Sequence, residues 1–543
     1  MTADVSPRAP SGDFGVLSSP PMVEWGEMAR SNQVLLRSWN LSIGGSSLES
    51  MRSQARADFL ATAREFGCDS AEISETVADG MLWFMTGHQP ELYHPGVWAK
   101  NFAVSAVAQA CGGFGGNLVA DTDKFKSNAI RVITGSRETP RVVSVPFDTV
   151  DDGRPSETWK IQDESVFRGF AAELISTTGP DLPADALIHD FWPIACAVPS
   201  ESGSRRFSLA RGNIESDWGF GLVESPMGLW SETPQVIRLF LAILADLPRF
   251  HDIHDRKLTQ YRKERKIHSR NHPVADLVRE DDWWEAPLWV WRDESPIRKK
   301  LLGRASASGS GIELRIEGET EVLGVFDVTP DRIDNAAVEN WLGIASSGVR
   351  IRPRALVTTA LCRILLTDLF VHGIGGAIYD VLGDAVFGEF FDVRMPRYAV
   401  LTATLRLADF SPAISAEERE RQIQAKRWLM WQAERICPDE PVLQDLFERK
   451  RQWLAHSQEK KPDRRLRASQ LRRVNREIAQ ILAPRIQEAD TRIDRLSQSS
   501  LAESIVRSRE FSIVVHSRER LKRLAGILRE MANELAKRNA ESA

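Results

Sequence analysis

The sequence predicts an α/β protein whose parallel-sheet core is split by an inserted middle segment and followed by a C-terminal α-helical coiled coil. Three observations predict it. A strand, loop, helix, strand succession fills residues 81 to 121, and a second fills residues 355 to 405. From about residue 413 onward, long charged side chains alternate with apolar ones in helical register. Each succession implies a parallel pair with a right-handed crossover, and the two together read as a split core contributing to one sheet.

Taken in chain order, the opening "MTADVSPRAPSGDFGVLSSPP" has acids, prolines and serines where a signal peptide needs a basic start and an apolar block. It reads as a disordered leader over residues 1–20. Residues 47–66 carry apolar side chains at helical spacing. "MLWFM" (81–85) reads as a buried strand, the loop from Thr86 to Gly96 follows it, and "GVWAKNFAVSAVAQACG" reads as a helix stopped by Gly112 and Gly113. "NLVAD" is the next strand and ends in acid. In the second succession "LFVHG" is a strand, "GIGG" a tight loop, "AIYDVLGDAVFGEFF" a helix and "RYAVLTATL" (397–405) a further buried strand.

Between the two successions, residues 230–267 read as helical. "EAPLWVWR", "IRKKLLGRAS", "GIELRIEG" and "EVLGVF" then read as a small antiparallel sheet. Trp283, Trp284, Trp289 and Trp291 are expected to cover the seam between that sheet and the core. Near the end, Leu471, Val474, Ile478 and Ile481, then Leu482, Ile486, Ala489, Ile493 and Leu496, and finally Leu521, Leu524, Leu528, Met531 and Leu535 repeat a 3-4 spacing. That pattern predicts a helical hairpin or coiled coil, kinked at Pro484 and turning at "EKKPDRR". The expected organisation is a leader (1–20), core (21–160), inserted α and β segments (161–344), the rest of the core (345–412) and a helical arm (413–543).

Composition narrows the function classes. With 70 basic against 75 acidic side chains and a formal charge of −5, nothing global favours nucleic acid or an anionic membrane. No 18-residue apolar stretch spans a membrane. Cys68, Cys111, Cys196, Cys362 and Cys437 lack paired spacing and read as buried thiols of a cytoplasmic protein. The sequence holds no Walker lysine loop, no G-x-S-x-G, no H-E-x-x-H and no zinc-type Cys/His spacing, so no metal ligands are assigned. His251 and His254 in "HDIHD" are read as a solvated helix face.

Ligands of open parallel sheets bind outside the carboxyl ends of the strands. Three segments fall there: the loop from Thr86 to Gly96, the acidic turn "ADTDKF" (120–125) and the glycine loop "HGIGG" (372–376). His88 and His94 can donate to a phosphoryl oxygen or carboxylate, and Lys100 adds a cation one turn into the helix. Asp121 and Asp123 can orient an amine or a hydrated divalent metal, and Gly373, Gly375 and Gly376 let backbone approach a ligand. The plainer reading of His94 is a helix cap, since Pro95 suits the first helical position.

Together and in this order, the three segments resemble the bacillithiol-biosynthesis cysteine-adding enzyme family (BshC), a family of cysteine ligases. Its early motif, Thr-Gly-Gln-Gln-Pro-x-Leu, is matched by Thr86, Gly87, His88, Gln89, Pro90, Glu91 and Leu92, with Lys100 in the following helix. Its acidic Glu-Asp-His-Asp-Phe turn resembles the segment of Asp121 and Asp123, and its late Arg-Pro and glycine-loop motif resembles Arg352, Pro353 and "LFVHGIGGAIY". This chain departs at His88 for glutamine, Thr122 for histidine and Gly376 for glutamate.

The resemblance implies a Rossmann-like core of the HIGH-type nucleotidyltransferase kind and a coiled coil that forms a homodimer. It implies a carbon-nitrogen ligase joining an amino acid, such as cysteine, to the amine of a sugar-like acceptor. His88, His94, Lys100, Asp121 and Asp123 would then be catalytic, and Thr86, Gly87, Gln89, Gly373, Gly375, Gly376 and Tyr379 would bind a small-molecule substrate or nucleotide. ATP or ADP and magnesium are the cofactors it admits. Two other readings stand beside it: a nucleotidyltransferase acting on a sugar phosphate or small acid, and a catalytically degenerate protein whose coiled coil binds a partner.

Overall fold

The computed structural model describes residues 8–67, 80–135, 140–149, 153–269, 271–307, 311–407, 416–456, 461–506 and 508–542. They divide into two compact units. One comprises Met1–Val132, Ser144–Leu407 and Arg509–Ala543, and the other Ile133–Val143 and Ala408–Ser508.

The first unit is α/β. Its main strands are β1 (Gly15–Ser19), β2 (Trp83–His88), β3 (Phe114–Val119), β4 (Val223–Pro226), β5 (Trp283–Arg292), β6 (Ser295–Ala305), β7 (Ile312–Ile316), β8 (Val322–Phe326), β9 (Val349–Pro353), β10 (Leu369–His372) and β11 (Ala399–Thr404). The core sheet runs β1-β11-β10-β2-β3-β4. Neighbours from β11 to β4 are parallel, and β1 is antiparallel at the edge. Its five parallel strands, numbered in chain order, thus lie 3-2-1-4-5, and the order reverses between β2 and β10. The second sheet is antiparallel and runs β8-β7-β6-β5-β9.

Helices α1 (Trp25–Ser38), α2 (Leu48–Phe66), α3 (Pro95–Ala110), α4 (Gly203–Asp217), α5 (Ala355–Leu361), α6 (Ile374–Phe390) and α7 (Arg518–Ser542) matter most for the site. A helix that is apolar all round must be covered all round. This is the case for α3, which has β2, β3 and β11 on its sheet side and α7 against it. The stripe Leu521, Leu524, Leu528 and Leu535 is therefore buried in the first unit rather than continuing the arm. A helical stripe specifies an apolar partner without saying which one.

Further expectations are corrected. Residues 15–19 are an edge strand rather than a disordered leader, because the open edge of β11 pairs with them from Gly15↔Thr404 to Ser19↔Val400. Residues 1–7 lie outside the described residues. β4 comes from the expected insert yet completes the core sheet, and β9 comes from the expected second half of the core yet pairs with β5. In "EKKPDRR" the residues from Lys461 on are helical, because proline is tolerated in a first helical turn; the residues before Lys461 lie outside the described ones. His251 and His254 are buried against the backbone of Val278 and the Asp255 carboxylate, not solvated. Of the cysteines, Cys362 and Cys437 are buried, Cys111 and Cys196 are half-buried, and Cys68 lies outside the described residues.

Apart from strand residues 133–135 and 140–143, the second unit is helical among the described residues. Ala416–Trp431 packs along Ala483–Val506, and Gln444–Ala455 packs against Lys461–Ile481. Leu429, Leu443, Phe447, Val474, Ile478 and Leu482 form their common core. The helix breaks at Leu482, one residue before Ala483 and Pro484 open the next, where the kink was expected. No helix among the described residues is long and apolar enough to cross a membrane.

One buried carboxylate sets the register of the core. Asp368, just before β10, is fully buried and takes Arg52 at 2.9 Å and Arg56 at 3.0 Å, both from α2. Its Oδ2 also accepts the Trp83 backbone N–H at 2.9 Å, while its own N–H donates to Trp83 O at 2.8 Å. The start of β10 is thus locked beside the start of β2, which places Val371 opposite Thr86. Removing one partner of a buried ion pair leaves the others uncompensated. Asp368→Ala is expected to lower unfolding free energy by about 3–5 kcal/mol, measured by urea titration of the full chain.

Candidate functional site

A cavity of about 330 Å³ opens where β2 and β10 part. Its wall takes Gly87, His88 and Gln89 from the end of β2, Ala120, Thr122 and Asp123 from the end of β3, and His372, Gly373, Gly375 and Gly376 from the end of β10. Lys100 on α3, Tyr379 on α6, Thr358 and Thr359 on α5, Cys362, and Trp289 and Arg298 from the second sheet complete it. This is the place where strand order reverses, and there the flanking loops diverge to leave a crevice.

Below the cavity lies a buried polar network. His88 Nε2 lies 2.9 Å from Asn101 Oδ1, and Asn101 Nδ2 donates to Glu215 Oε1 at 2.8 Å. That orientation of Asn101 leaves its oxygen to the histidine, so Nε2 carries the proton. Trp98 Nε1 also donates to Glu215. Arg211 donates to Glu224 at 2.6 Å and lies 3.5 Å from Glu215. Burial, together with the nearby cations Arg211 and Lys100, pushes the His88 imidazole well below its ordinary value, so it is neutral at pH 7. Burial, with Glu224 as a second carboxylate, pushes Glu215 up to about 8.

Lys100 is 5% exposed. Its Nζ donates to Gly87 O at 3.0 Å and has no ion pair among the described residues. Burial alone pushes it down to about 8. Opposite charge is instead supplied to Asp123, whose Oδ2 accepts from Gln89 at 2.9 Å and whose Oδ1 accepts from Arg298 at 2.9 Å. Against burial, which raises it, these two bonds hold the Asp123 carboxyl below its usual value. The start of α6 has no side-chain cap, and a Cβ added at Gly373 or Gly375 would meet nothing within 4 Å. Glycine in the first turn of a helix costs about 1 kcal/mol relative to alanine, so its use here leaves backbone N–H groups open to a ligand.

Of the residues singled out from the sequence, His88, Lys100, Asp123, Gly87, Gln89, Gly373, Gly375, Gly376 and Tyr379 all line the cavity. Three do not. His94 caps α3, its Nδ1 accepting from Gly96 N at 3.1 Å and its Nε2 lying 3.5 Å from Glu510. Burial pushes it down to about 4. Thr86 bonds across the sheet to Val371 O at 2.9 Å. Asp121 sits behind the turn, where its Oδ1 accepts from Gly228 N at 2.8 Å. Burial and then Glu157 push Asp121 up to about 8.

Sequence reasoning missed His372, Trp289, Arg298 and Thr359. His372 ends a strand directly before the glycine loop, which is a readable signal. Trp289 was expected to cover the seam, but it lines the cavity, with Arg354 at 3.9 Å and Arg298 at 5.0 Å from its ring centre. That placement depends on how the second sheet folds over the first, which no local pattern states. No cluster of three or more His, Cys, Asp or Glu among the described residues is arranged to hold a metal. No family model matches the chain, and neither does any curated protein.

The Asp121 carboxyl binds a proton more tightly folded, at about 8, than at its ordinary 3.8. The folded state therefore holds more protons between those values, and stability falls as pH rises through that window. The limiting slope is about 1.4 kcal/mol per pH unit for one proton. Asp121→Asn keeps an acceptor for Gly228 N and removes the titration, so unfolding free energies at pH 5 and pH 8 are expected to differ less in the variant than in the parent chain.

Proposed function

We propose that the chain is a carbon-nitrogen ligase of the bacillithiol cysteine-adding type, joining an amino acid such as cysteine to the amine of a sugar-like acceptor. The observation that carries this reading is the Lys100 ammonium, buried without a counter-ion among the described residues, in the same cavity as the uncapped glycine start of α6. Both present N–H donors to an anion. Fixed donors in a site poor in water stabilise the charge that develops on the oxygens of an activated carboxyl as an amine attacks it.

In this reading the core is Rossmann-like, which its 3-2-1-4-5 strand order supports. ATP serves as the co-substrate that activates the amino acid. Asp123 is already engaged by Arg298 and Gln89, which does not suit it to a magnesium ion, so no step is assigned to the metal. His88 is held neutral by burial and aligned by Asn101, and it positions the ligand rather than exchanging protons. The free thiols support a cytoplasmic location. The homodimer is assigned to the helical unit, which exposes Trp431, Leu454, Leu466 and Ile481.

The same donors also suit the α-phosphate of a nucleoside triphosphate, which favours nucleotidyl transfer as the second reading. ATP, cysteine and hydroxylamine separate the two: hydroxylamine traps an activated cysteinyl group as a hydroxamate, whereas nucleotidyl transfer to a sugar phosphate releases pyrophosphate without one. The full chain is expected to form the hydroxamate, and Lys100→Met to lower its rate about a hundredfold with an unchanged or higher melting temperature. A parent chain that forms no hydroxamate contradicts the ligase reading.

A further inference from the structure

The ligase reading leaves a buried pair at the cavity wall without a role. His372 is 4% exposed, lies at the end of β10 and lines the cavity. Its Nε2 lies 2.9 Å from Asp380 Oδ2 on α6. Asp380 is itself 1% exposed and held in place: Thr359 Oγ1 donates to its Oδ1 at 2.5 Å and Arg363 donates to its Oδ2 at 2.8 Å. The imidazole is fixed from its sides by the Tyr398 ring, 4.9 Å between centres, and the Phe370 ring, at 4.6 Å. Its other nitrogen, Nδ1, has no hydrogen bond among the described residues and faces the first turn of α6. A Cβ at Gly376 would sit 2.8 Å from Nδ1, so only glycine leaves that nitrogen clear.

A carboxylate beside one ring nitrogen, and a second nitrogen left clear against Gly376 in the cavity wall, is an arrangement that suits an imidazole to accept a proton. The carboxylate lies close enough to Nε2 to favour the tautomer protonated there and the cation that forms, although the ring N–H is not aligned on it for a hydrogen bond. Resting on the ligase reading, we propose that His372 Nδ1 is the proton acceptor for the attacking amine, with Asp380 as its positioning residue.

The acceptor reaches the cavity as an ammonium ion. His372 Nδ1 takes one proton and leaves the lone pair on nitrogen. That pair forms the C–N bond to the carbonyl carbon of an acyl phosphate, the C–O bond to phosphate breaks, and the phosphate leaves with the bonding electrons. The second proton lost from nitrogen passes to the departing phosphate. The charged and titratable groups around the imidazole are Asp380 and Tyr379 on α6, Asp384 and Arg363 linked through Asp380, Tyr398 beside the ring, Cys362 in the wall and Lys100 in the same cavity.

Two measurements on the full chain test this. With ATP and cysteine, hydroxylamine is neutral near pH 7 and needs no base, whereas glucosamine must lose a proton. In His372→Gln the ratio of transfer to glucosamine over transfer to hydroxylamine is expected to fall about a hundredfold. An unchanged ratio overturns the assignment while leaving the ligase reading intact, and the absence of hydroxamate from the parent chain overturns that reading instead. Modification by diethyl pyrocarbonate, mapped by mass spectrometry, reads Nδ1 without reference to any activity. His372 is expected to react alongside the exposed His268 and His272, and its reaction is expected to be lost in Gly376→Ala. In Asp380→Asn the ratio of transfer to glucosamine over transfer to hydroxylamine is expected to fall in the same direction as in His372→Gln. A His372 that stays unmodified while His268 and His272 react overturns the assignment whichever way the transfer assay falls, and a ratio unmoved in Asp380→Asn overturns the role of Asp380.

Discussion

The contact on which the rest of the first unit depends is the Asp368 carboxylate, which gathers two arginines of α2 and the first amide of β2 at the root of β10. Parallel strands have no hairpin to set their register, so a long-range contact must do it. With Asp368 at the root, β10 runs alongside β2 until the two diverge at Gly87 and His372. The same carboxylate anchors α2, whose Phe59 packs edge-on to Trp83 at 6.1 Å, and Trp83 stacks on Phe114 of β3 at 3.9 Å. Apolar packing and one charge cluster therefore fix three strands at one end, so that their opposite ends can carry polar groups without support from each other.

Those polar groups are layered by depth. Deepest is the network of Glu224, Arg211, Glu215 and Asn101, in which two carboxylates share one guanidinium. Above it His88 is uncharged, because burial and the neighbouring cations oppose a further positive charge. At the cavity wall stand Lys100, Arg298 and the N–H groups of α6, with Asp123 already satisfied. The side facing a ligand is thus rich in donors, while in the layer beneath Arg211 Nε and Glu215 Oε2 are buried without a hydrogen-bond partner among the described residues. Fixed donors at the wall favour an anionic or strongly polarised ligand.

Much of this was legible in the sequence where the signal is local. The strand, loop, helix successions that became β2, α3, β3 and β10, α6, β11 are marked by apolar runs ended by glycine or acid. The three wall segments were found because parallel strands direct their carboxyl ends to one side. Side-chain direction within a turn was not legible: Asp121 and Asp123 are two residues apart, yet one is buried behind Gly228 and the other faces the cavity. Partners distant in sequence were equally hidden. The stripe of α7 fits an arm as well as it fits α3, β4 lies within what reads as an insert, and Trp289 and Arg298 reach the wall through the second sheet. His372 could have been read from its place before the glycine loop, but its carboxylate partner Asp380 comes into reach only once α6 forms.

The central claim is that the divergence of β2 and β10 makes the ligand site. Amide hydrogen exchange of the full chain with and without ATP and cysteine tests it most directly. Slowed exchange is expected in residues 87–89, 120–123 and 373–376, and none in residues 416–506. Protection confined to 416–506, or no protection in the three wall segments at saturating ligand, contradicts it.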